Sequence, residues 1–251
     1  YLVGENFFEA TEQLQGDGWD AVMNYTGLAD PILHWLTGYE QDALRCDAVL
    51  KTDIPWDTAT MLQAWNENLA SIPWQIALQQ FNLLDSHDTP RLLTLLNGDK
   101  GFSQLAAIVQ FTFPGVPCVY YGDEIGLTNE EGFDSRNCFP WDEQQWDQET
   151  LGFYKKLITL RRESEALARG EFRVLYFDQD LVIFARISGE KWVLVTANRS
   201  EQPHPPMRLE VPTLSLAGER EFNALFGSRR IKAGSGWLDL PELPKGGEVW
   251  H

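Results

Sequence analysis

The spacing of hydrophobic positions changes near residue 168 and divides the chain into two parts. Before that point, short apolar runs alternate with longer stretches in which apolar residues recur at helical spacing. The short runs predict strands at residues 1–3, 20–24, 81–84 and 116–121, and the longer stretches predict helices at residues 28–36, 58–70, 103–111 and 148–162. Strands that alternate with helices predict a parallel sheet covered by helices.

From about residue 170 onward, the apolar runs are short, closely spaced and separated by turn residues. They predict strands at residues 173–177, 181–187, 192–198 and 208–211, with further candidates around Phe222 and Trp237. This pattern is typical of a small antiparallel sandwich. The four strand-and-helix units before it are half of an eight-unit barrel. We therefore expect an α/β fold, with the second half of a (β/α)8 TIM barrel over residues 1–168 and an all-β antiparallel sandwich over residues 169–251.

The first residues have the pattern of a buried strand interior, and Tyr1 is not a methionine. We therefore expect the chain to be the C-terminal half of a barrel protein. Its two outer strands would each lack a neighbour, which leaves backbone donors and apolar side chains unpaired. The N-terminal half of the same protein is thus an expected partner, and the chain alone is expected to aggregate or to stay partly unfolded.

Charge and composition exclude several classes of partner. A formal charge of −17, with no cluster of lysine and arginine, would repel phosphate backbones and anionic lipids. No run approaches the roughly 20 apolar residues of a membrane helix. Cys46, Cys118 and Cys138 lack the spacing of a zinc or redox motif, so free thiols in the cytoplasm are expected. We predict neither a nucleic-acid nor a membrane partner.

Polar residues with useful chemistry follow the predicted strands. Glu5 ends the first strand region, Asn24 the second, and His87 and Asp88 the third. Because the carboxyl ends of barrel strands meet at one rim, Glu5 and Asp88 would form the pair of carboxyls that glycosidic bond cleavage needs. Glu5 could instead form a surface salt bridge, and Asp88 could cap a helix that begins after the following Thr-Pro pair.

Other residues near the strand ends have less specific patterns. Gly4 has no side chain, which would let the backbone beside Glu5 approach a ligand. Asp123 and Glu124 are expected to bond loop backbone amides, because no base and no metal-ligand spacing lies beside them. Arg136 could donate hydrogen bonds to sugar hydroxyls, or it could form an ordinary loop salt bridge.

Four motifs resemble the α-amylase family of glycoside hydrolases. Residues 2–5 (LVGE) resemble the family's fifth-strand motif, residues 20–25 (DAVMNY) its sixth strand, residues 86–91 (SHDTPR) its seventh-strand motif and residues 115–127 its eighth strand. The resemblance covers nearly the whole chain. It extends to the branch of neopullulanases, cyclomaltodextrinases and maltodextrin glucosidases. Within this branch, the exact residues of the motifs are most similar to those of the maltodextrin glucosidases. Residues 6–8 (NFF) depart from the aromatic and histidine that relatives often carry.

The resemblance implies a role for each candidate residue. Glu5 would be the general acid/base and Asp88 the transition-state stabiliser, whereas His87 and Arg136 would bind substrate. The family's nucleophile is an aspartate at the end of the fourth strand, and no residue of this sequence matches it. The resemblance therefore implies that the chain alone has no turnover, since a retaining mechanism needs both acid and nucleophile. We expect no cofactor and no metal ion.

The leading hypothesis is that the intact protein is a retaining α-glucosidase, a glycoside hydrolase that cleaves α-1,4 bonds of maltodextrins and releases glucose. Maltodextrins and other α-glucan oligosaccharides are the expected partners. A cyclomaltodextrinase- or neopullulanase-type hydrolase, or a transglycosylase, is the alternative within the family. A non-catalytic member that binds sugar or a protein is the alternative from another class. A strand-ending aspartate upstream of Tyr1 would favour the enzyme, and its absence would favour the binding protein.

Overall fold

The computed structural model describes residues 1–37, 39–41, 49–51, 55–129, 135–212, 214, 216 and 218–251, and for residues 39–41 and 49–51 it describes the backbone only. Cys46 and the residues just before Ser135 lie outside the described residues. The expectation that Cys46 is a free thiol therefore stays a prediction. Within the described ranges, no helix combines the length and the apolar character needed to cross a bilayer.

The first part of the chain alternates short strands with helices. In chain order its elements are β1 (Val3–Gly4), β2 (Ala21–Val22), α1 (Asp30–Thr37), β3 (Tyr39–Gln41), β4 (Val49–Lys51), α2 (Thr58–Ser71), α3 (Trp74–Ala77), β5 (Phe81–Asn82), α4 (Leu92–Leu95), α5 (Lys100–Thr112), β6 (Val116–Pro117), α6 (Gln148–Glu163) and α7 (Glu165–Arg169). A π-helical turn at Tyr25–Ala29 precedes α1. The helices α1, α2, α5 and α6 begin and end within three residues of the predicted ones.

The strands of the first part run parallel and follow one another in chain order. β1 pairs with β2 in parallel, and β5 pairs with β6 in parallel. A parallel bridge between Met23 and Phe81 joins the two pairs. This order is that of one half of a (β/α)8 barrel, with a 3-10 turn at Thr11–Leu14 in the connection from β1 to β2 and α-helices in the later connections. The hairpin of β3 and β4 is an antiparallel insertion after α1.

The parallel strands pair over only two residues each, which is shorter than the apolar runs predict. Buried amide side chains add further hydrogen bonds around these short pairings. Asn24 Nδ2 donates to Asn82 Oδ1 (2.8 Å), and Asn82 Nδ2 donates to the carbonyl of Pro114 (3.0 Å). Gln110 Nε2 donates to the carbonyl of Cys118 (2.7 Å). Backbone groups that would otherwise be buried and unpaired are thereby satisfied.

The second part is a sandwich of two antiparallel sheets. Its strands are β7 (Glu171–Phe177), β8 (Leu181–Ser188), β9 (Lys191–Asn198), β10 (Met207–Glu210), β11 (Arg220–Asn223), β12 (Arg230–Gly234), β13 (Trp237–Leu240) and β14 (Gly246–Trp250). The sheet orders are β14-β9-β8-β7 and β10-β13-β12-β11. The predicted fold class, a half-barrel followed by an antiparallel sandwich, is confirmed.

Strand β8 is buried on both of its faces, so the two parts share a core. Alternate residues such as Leu181 and Ile183 face the second sheet of the sandwich. The residues between them, Val182 and Phe184, pack with the helices of the half-barrel. Because successive side chains of a strand point to opposite faces, one strand belongs to both hydrophobic clusters.

Arg186, which is buried, and Arg161, which is partly buried, donate hydrogen bonds to carbonyls at and near the end of α5. Arg186 of β8 donates to the carbonyls of Thr112 (2.8 Å) and Gly170 (2.9 Å). Arg161 of α6 donates to the carbonyls of Phe111 and Gly115. Carbonyls at a helix C-terminus have no intrahelical partner and carry partial negative charge, so cations are favourable there. Burial lowers the pKa of Arg186 to about 9, which still leaves the guanidinium charged at neutral pH.

Candidate active site

Glu5 lies directly after β1, and aromatic packing holds the segment around it. The ring of Trp19 covers Gly4, where an added Cβ would lie 2.4 Å from the ring. Phe7 stacks on the buried ring of Tyr25 with centroids 4.2 Å apart. The expectation that Gly4 lets the backbone approach a ligand is wrong, because Trp19 fills that space. The Glu5 side chain itself is exposed.

His87 and Asp88 lie in a tight turn after β5. The hydroxyl of Ser86 accepts hydrogen bonds from Tyr25 Oη (2.8 Å) and from the Asp88 amide (3.1 Å). The alternative that Asp88 caps the next helix is wrong. Helix α4 begins at Leu92, and the amide of Leu92 donates instead to Asp85 Oδ2 (2.7 Å).

The structure brings all four candidate site residues into one cluster. Ligand-type atoms of Glu5, His87 and Asp88 lie within 4.8 Å of one another. His87 Nε2 lies 3.4 Å from Asp88 Oδ2, and Arg136 Nη2 donates to Asp88 Oδ1 (2.6 Å). The Asp88 side chain is 22% exposed, whereas those of His87 and Arg136 are more than half exposed. The cluster therefore opens to solvent around a carboxylate that an arginine holds.

This arrangement suits acid–base chemistry on a polyhydroxylated ligand. Glu5 is open to solvent and can exchange protons, whereas Asp88 has a cation on one carboxylate oxygen. Two carboxyls in different environments can take different roles on one substrate. The same three residues, Glu5, His87 and Asp88, could also hold a cation. The guanidinium of Arg136 already contacts Asp88 and would repel such an ion. The geometry therefore favours acid–base chemistry by Glu5 and Asp88 over the binding of a cation.

A second, buried carboxyl pair lies behind the exposed cluster. Asp85 and Asp123 are hydrogen-bonded to each other, and Asp123 Oδ1 lies 3.9 Å from Nη1 of Arg91. Burial raises the pKa of Asp85 to about 6 and that of Asp123 well above its ordinary value. The expectation that Asp123 bonds loop amides is thus wrong, whereas Glu124 does accept from the amide of Gly122 (2.7 Å).

Sequence reasoning assigned no role to Asp85, which precedes the SHDTPR stretch, or to Arg91, which ends it. One signal was present, because Asp85 comes directly after the apolar run that predicts a buried strand at residues 81–84. A carboxyl in such a place needs a partner. Asn24, at the end of another predicted strand, is buried in the amide contacts between strands and lies outside the exposed cluster.

Comparison with known proteins gives two family matches that together cover most of the chain. The model described as alpha amylase, catalytic domain matches residues 34–170. The model described as neopullulanase-like, C-terminal domain matches residues 172–251.

Individual relatives agree with these matches. A cyclomaltodextrinase from Geobacillus thermopakistaniensis is 35% identical over 233 residues, which are 91% of this chain and 36% of the relative. Neopullulanase 2 from Thermoactinomyces vulgaris is 37% identical over 254 residues, which cover 100% of this chain and 40% of the relative. The native debranching enzyme of Nostoc punctiforme superimposes with a TM-score of 0.84 at 32% identity, over 100% of this chain and 51% of that one. The chain therefore spans about two fifths or less of the length of these two curated relatives.

Proposed function

We propose that this chain, which belongs to the α-amylase family of glycoside hydrolases as its motifs predict, carries the acid/base half of a retaining α-glucan hydrolase. The observation that carries the proposal is the cluster of Glu5, His87 and Asp88, which follow β1 and β5, with Arg136 from the loop after β6. In a barrel, side chains at this rim face the substrate. The roles of the four residues are those that the family resemblance implies.

In the proposed reaction, Glu5 donates its proton to the glycosidic oxygen as the bond from that oxygen to the anomeric carbon breaks. An aspartate from the segment upstream of this chain attacks the anomeric carbon and forms a covalent glycosyl intermediate. Glu5 then takes a proton from water, and the water oxygen replaces the aspartate on the sugar. Asp88 stabilises the positive charge that develops on the ring, with Arg136 and His87 binding hydroxyls around it.

We further propose a cyclomaltodextrinase- or neopullulanase-type substrate range. The relatives at 35% and 37% identity carry those names, and the C-terminal match is to a neopullulanase-like domain. The expectation of a glucose-releasing α-glucosidase of the maltodextrin glucosidase type has no support from these relatives. Within the proposal, cyclomaltodextrins and linear α-1,4 glucans are both substrates.

The test uses the complete protein that contains this chain. Glu5→Gln should lower kcat/KM for β-cyclodextrin and for maltotriose by about 10²- to 10⁴-fold, because proton transfer by a positioned carboxyl is lost. The matched control is Glu9→Gln, a nearby exposed glutamate whose carboxylate accepts from the Thr11 amide (2.6 Å). Its effect should stay below about twofold, in line with a solvent-exposed hydrogen bond.

Two outcomes would contradict the proposal. Undiminished hydrolysis by Glu5→Gln would remove Glu5 from the mechanism. Binding of maltooligosaccharides by the unsubstituted complete protein, without any hydrolysis, would favour the non-catalytic binding protein. Product analysis separates the substrate classes. A preference for maltotriose over β-cyclodextrin, with glucose as the main product, would favour the hypothesis of an α-glucosidase instead.

A further inference from the structure

Arg91 is fully buried and follows Asp88 by three residues. Its Nη1 donates to the carbonyl of Tyr121 (2.5 Å), and its guanidinium carbon lies 4.9 and 4.7 Å from the ring centroids of Tyr120 and Tyr121. Among the described residues, its Nε and Nη2 have no hydrogen-bond partner. A buried cation is unfavourable without compensation, so its retention here favours a role in fixing local geometry.

The carboxyl pair of Asp85 and Asp123 compensates the charge of Arg91. Two carboxyls that share one hydrogen bond hold one proton between them, which leaves one negative charge against the guanidinium. Asp85 also accepts from the amide of Leu92, so the pair is anchored to the start of α4. The backbone amide of Arg91 donates to Asn129 Oδ1 (2.6 Å). Arg91 is thus fixed on both its backbone and its side chain.

Tyr120 and Tyr121 connect Arg91 with the loop that carries Arg136. Tyr120 Oη donates to the carbonyl of Ser135 (3.0 Å), and Tyr121 Oη donates to the carbonyl of Asn137 (2.6 Å). These two carbonyls belong to the residues on either side of Arg136. The backbone at Arg136 is therefore held at both neighbours by phenol groups that stack against Arg91.

The same loop closes back onto the catalytic turn. Ser135 Oγ donates to the carbonyl of His87 (3.1 Å), and Arg136 donates to Asp88. A continuous set of contacts therefore runs from the turn that bears Asp88 into the buried charge cluster, across to the tyrosines and back to the Asp88 carboxylate.

We propose that Arg91 is a positioning residue, which acts through Tyr120 and Tyr121 to set Arg136 on Asp88 and so fixes the orientation of the Asp88 carboxylate for the reaction. This inference rests on the proposed function for its consequence in catalysis. It adds Arg91, Tyr120 and Tyr121 to the residues on which the rate depends, although none of them needs to touch substrate.

The test is a double-mutant cycle in the complete protein. The first change is Tyr120→Phe with Tyr121→Phe, which keeps the rings beside Arg91 and removes only the two hydroxyls. With native Arg136, this change should lower kcat by about fivefold or more, because each hydrogen bond that is lost weakens the loop position. In an Arg136→Ala background the same change should have less than about twofold effect, since the group that the tyrosines position is gone. KM should change less than kcat in both backgrounds.

A matched control and a second readout keep the test decisive. Tyr176→Phe removes a half-buried phenol that contacts Asp178 in the sandwich (3.4 Å), and it should change kcat by less than about twofold. Hydrogen exchange of the amides at residues 135–138 should be faster in the tyrosine variant than in the unsubstituted protein. This readout needs no activity, so it tests the loop anchoring even if the unsubstituted protein hydrolyses no glucan.

Two results would overturn the inference. Equal losses of kcat in the two Arg136 backgrounds would mean that the tyrosines act independently of Arg136. Unchanged exchange at residues 135–138 would mean that the hydroxyls do not hold the loop. Arg91→Lys supplies a further check, since it keeps the charge but not the planar group, and it should reproduce the kcat loss of the tyrosine variant.

Discussion

The buried carboxyl pair behind the site gives the protein an unusual dependence of stability on pH. The ordinary pKa of an aspartate is 3.8, and burial raises that of Asp85 to about 6. The folded protein therefore binds a proton that the unfolded chain has already released between these two values. The resulting stabilisation is fully present below pH 3.8 and is lost as the pH rises through about 6.

Asp85→Asn should remove the part of this dependence that Asp85 contributes, because an amide does not ionise. The difference in unfolding free energy between the native protein and the variant should fall as the pH rises from about 4 to about 6. Urea unfolding of the complete protein at several pH values measures this difference. Asp17→Asn, at an exposed position, is the control and should leave the pH profile unchanged. A difference that grows with pH would show that the fold stabilises ionised Asp85.

Among individual residues, those of the exposed cluster at the site were predictable. Glu5, His87 and Asp88 come within a few residues of the ends of apolar runs, so their approach to one another follows from barrel geometry. The partners of Arg91 and Asp85 were not predictable, although the position of Asp85 gave a signal, since these two residues contact Asp123 and the tyrosines more than 25 residues away. The Trp19 ring over Gly4 likewise depends on tertiary packing that no local pattern contains.

Among the helices, α6 has a well-defined start. Asp147 Oδ1 accepts from the amides of Glu149 and Thr150 (3.1 Å each), and its Oδ2 accepts from Lys100 of α5 (2.7 Å). The hydrogen bond from Lys100, with those from Thr150, lowers the pKa of Asp147 to about 2. This carboxylate therefore stabilises the fold above pH 3.8, and the contribution is lost as the pH falls toward 2.

Asp147→Ala should lower the unfolding free energy by about 1–2 kcal/mol, because the cap of a 16-residue helix is lost. Thermal or urea unfolding at pH 7 measures the effect, which should shrink toward pH 2. Asp142→Ala is the matched control, since Asp142 caps only a three-residue 3-10 turn and should contribute less. Equal losses of unfolding free energy in the two variants would contradict the assignment of Asp147 as a stabilising helix cap.

Helices were predicted better than strands, and the reason is physical. Helical spacing extends over many residues in α2 and α6, so local pattern fixes their bounds. The barrel strands pair over only two residues each, so the apolar runs that predict them extend beyond the paired residues. Strand β12 was missed, since Arg230 and Lys232 alternate with only two apolar residues, Ile231 and Ala233.

Over the whole molecule, the barrel helices and the sandwich share one hydrophobic core through β8. Phe184 is fully buried there, with its ring centroid 5.2 Å from that of Phe172 and 6.3 Å from that of Trp65. The predicted division of the chain between residues 168 and 169 stays a prediction. Packing continues across this point, because residues from both sides of it belong to one hydrophobic cluster.

Phe184→Ala should lower the unfolding free energy of the complete protein by about 3–5 kcal/mol, because it leaves a cavity in the shared core. Both parts should lose stability together in urea unfolding followed by tryptophan fluorescence. Phe177→Ala, at a position that is 48% exposed, is the control and should stay within about 0.5 kcal/mol. Loss of stability in the sandwich alone would contradict a shared core.

At the outer strands, apolar side chains are exposed. Tyr1 is 71% exposed, Leu2 56% and Val116 43%. Among the described strands, β1 pairs with β2 and β6 with β5, and neither has a second neighbour. The expectation that the N-terminal half of the barrel covers these edges stays a prediction, as does aggregation of the chain alone.

The contact of Arg186 with the end of α5 limits how such proteins can exchange modules during evolution or in engineering. A sandwich transplanted from a relative would have to supply an equivalent cation for the carbonyls of Thr112 and Gly170, together with apolar groups that fit the barrel helices. Chimeras joined in the linker near residue 170 should therefore fold only when the parent of the sandwich carries a cation at the position of Arg186.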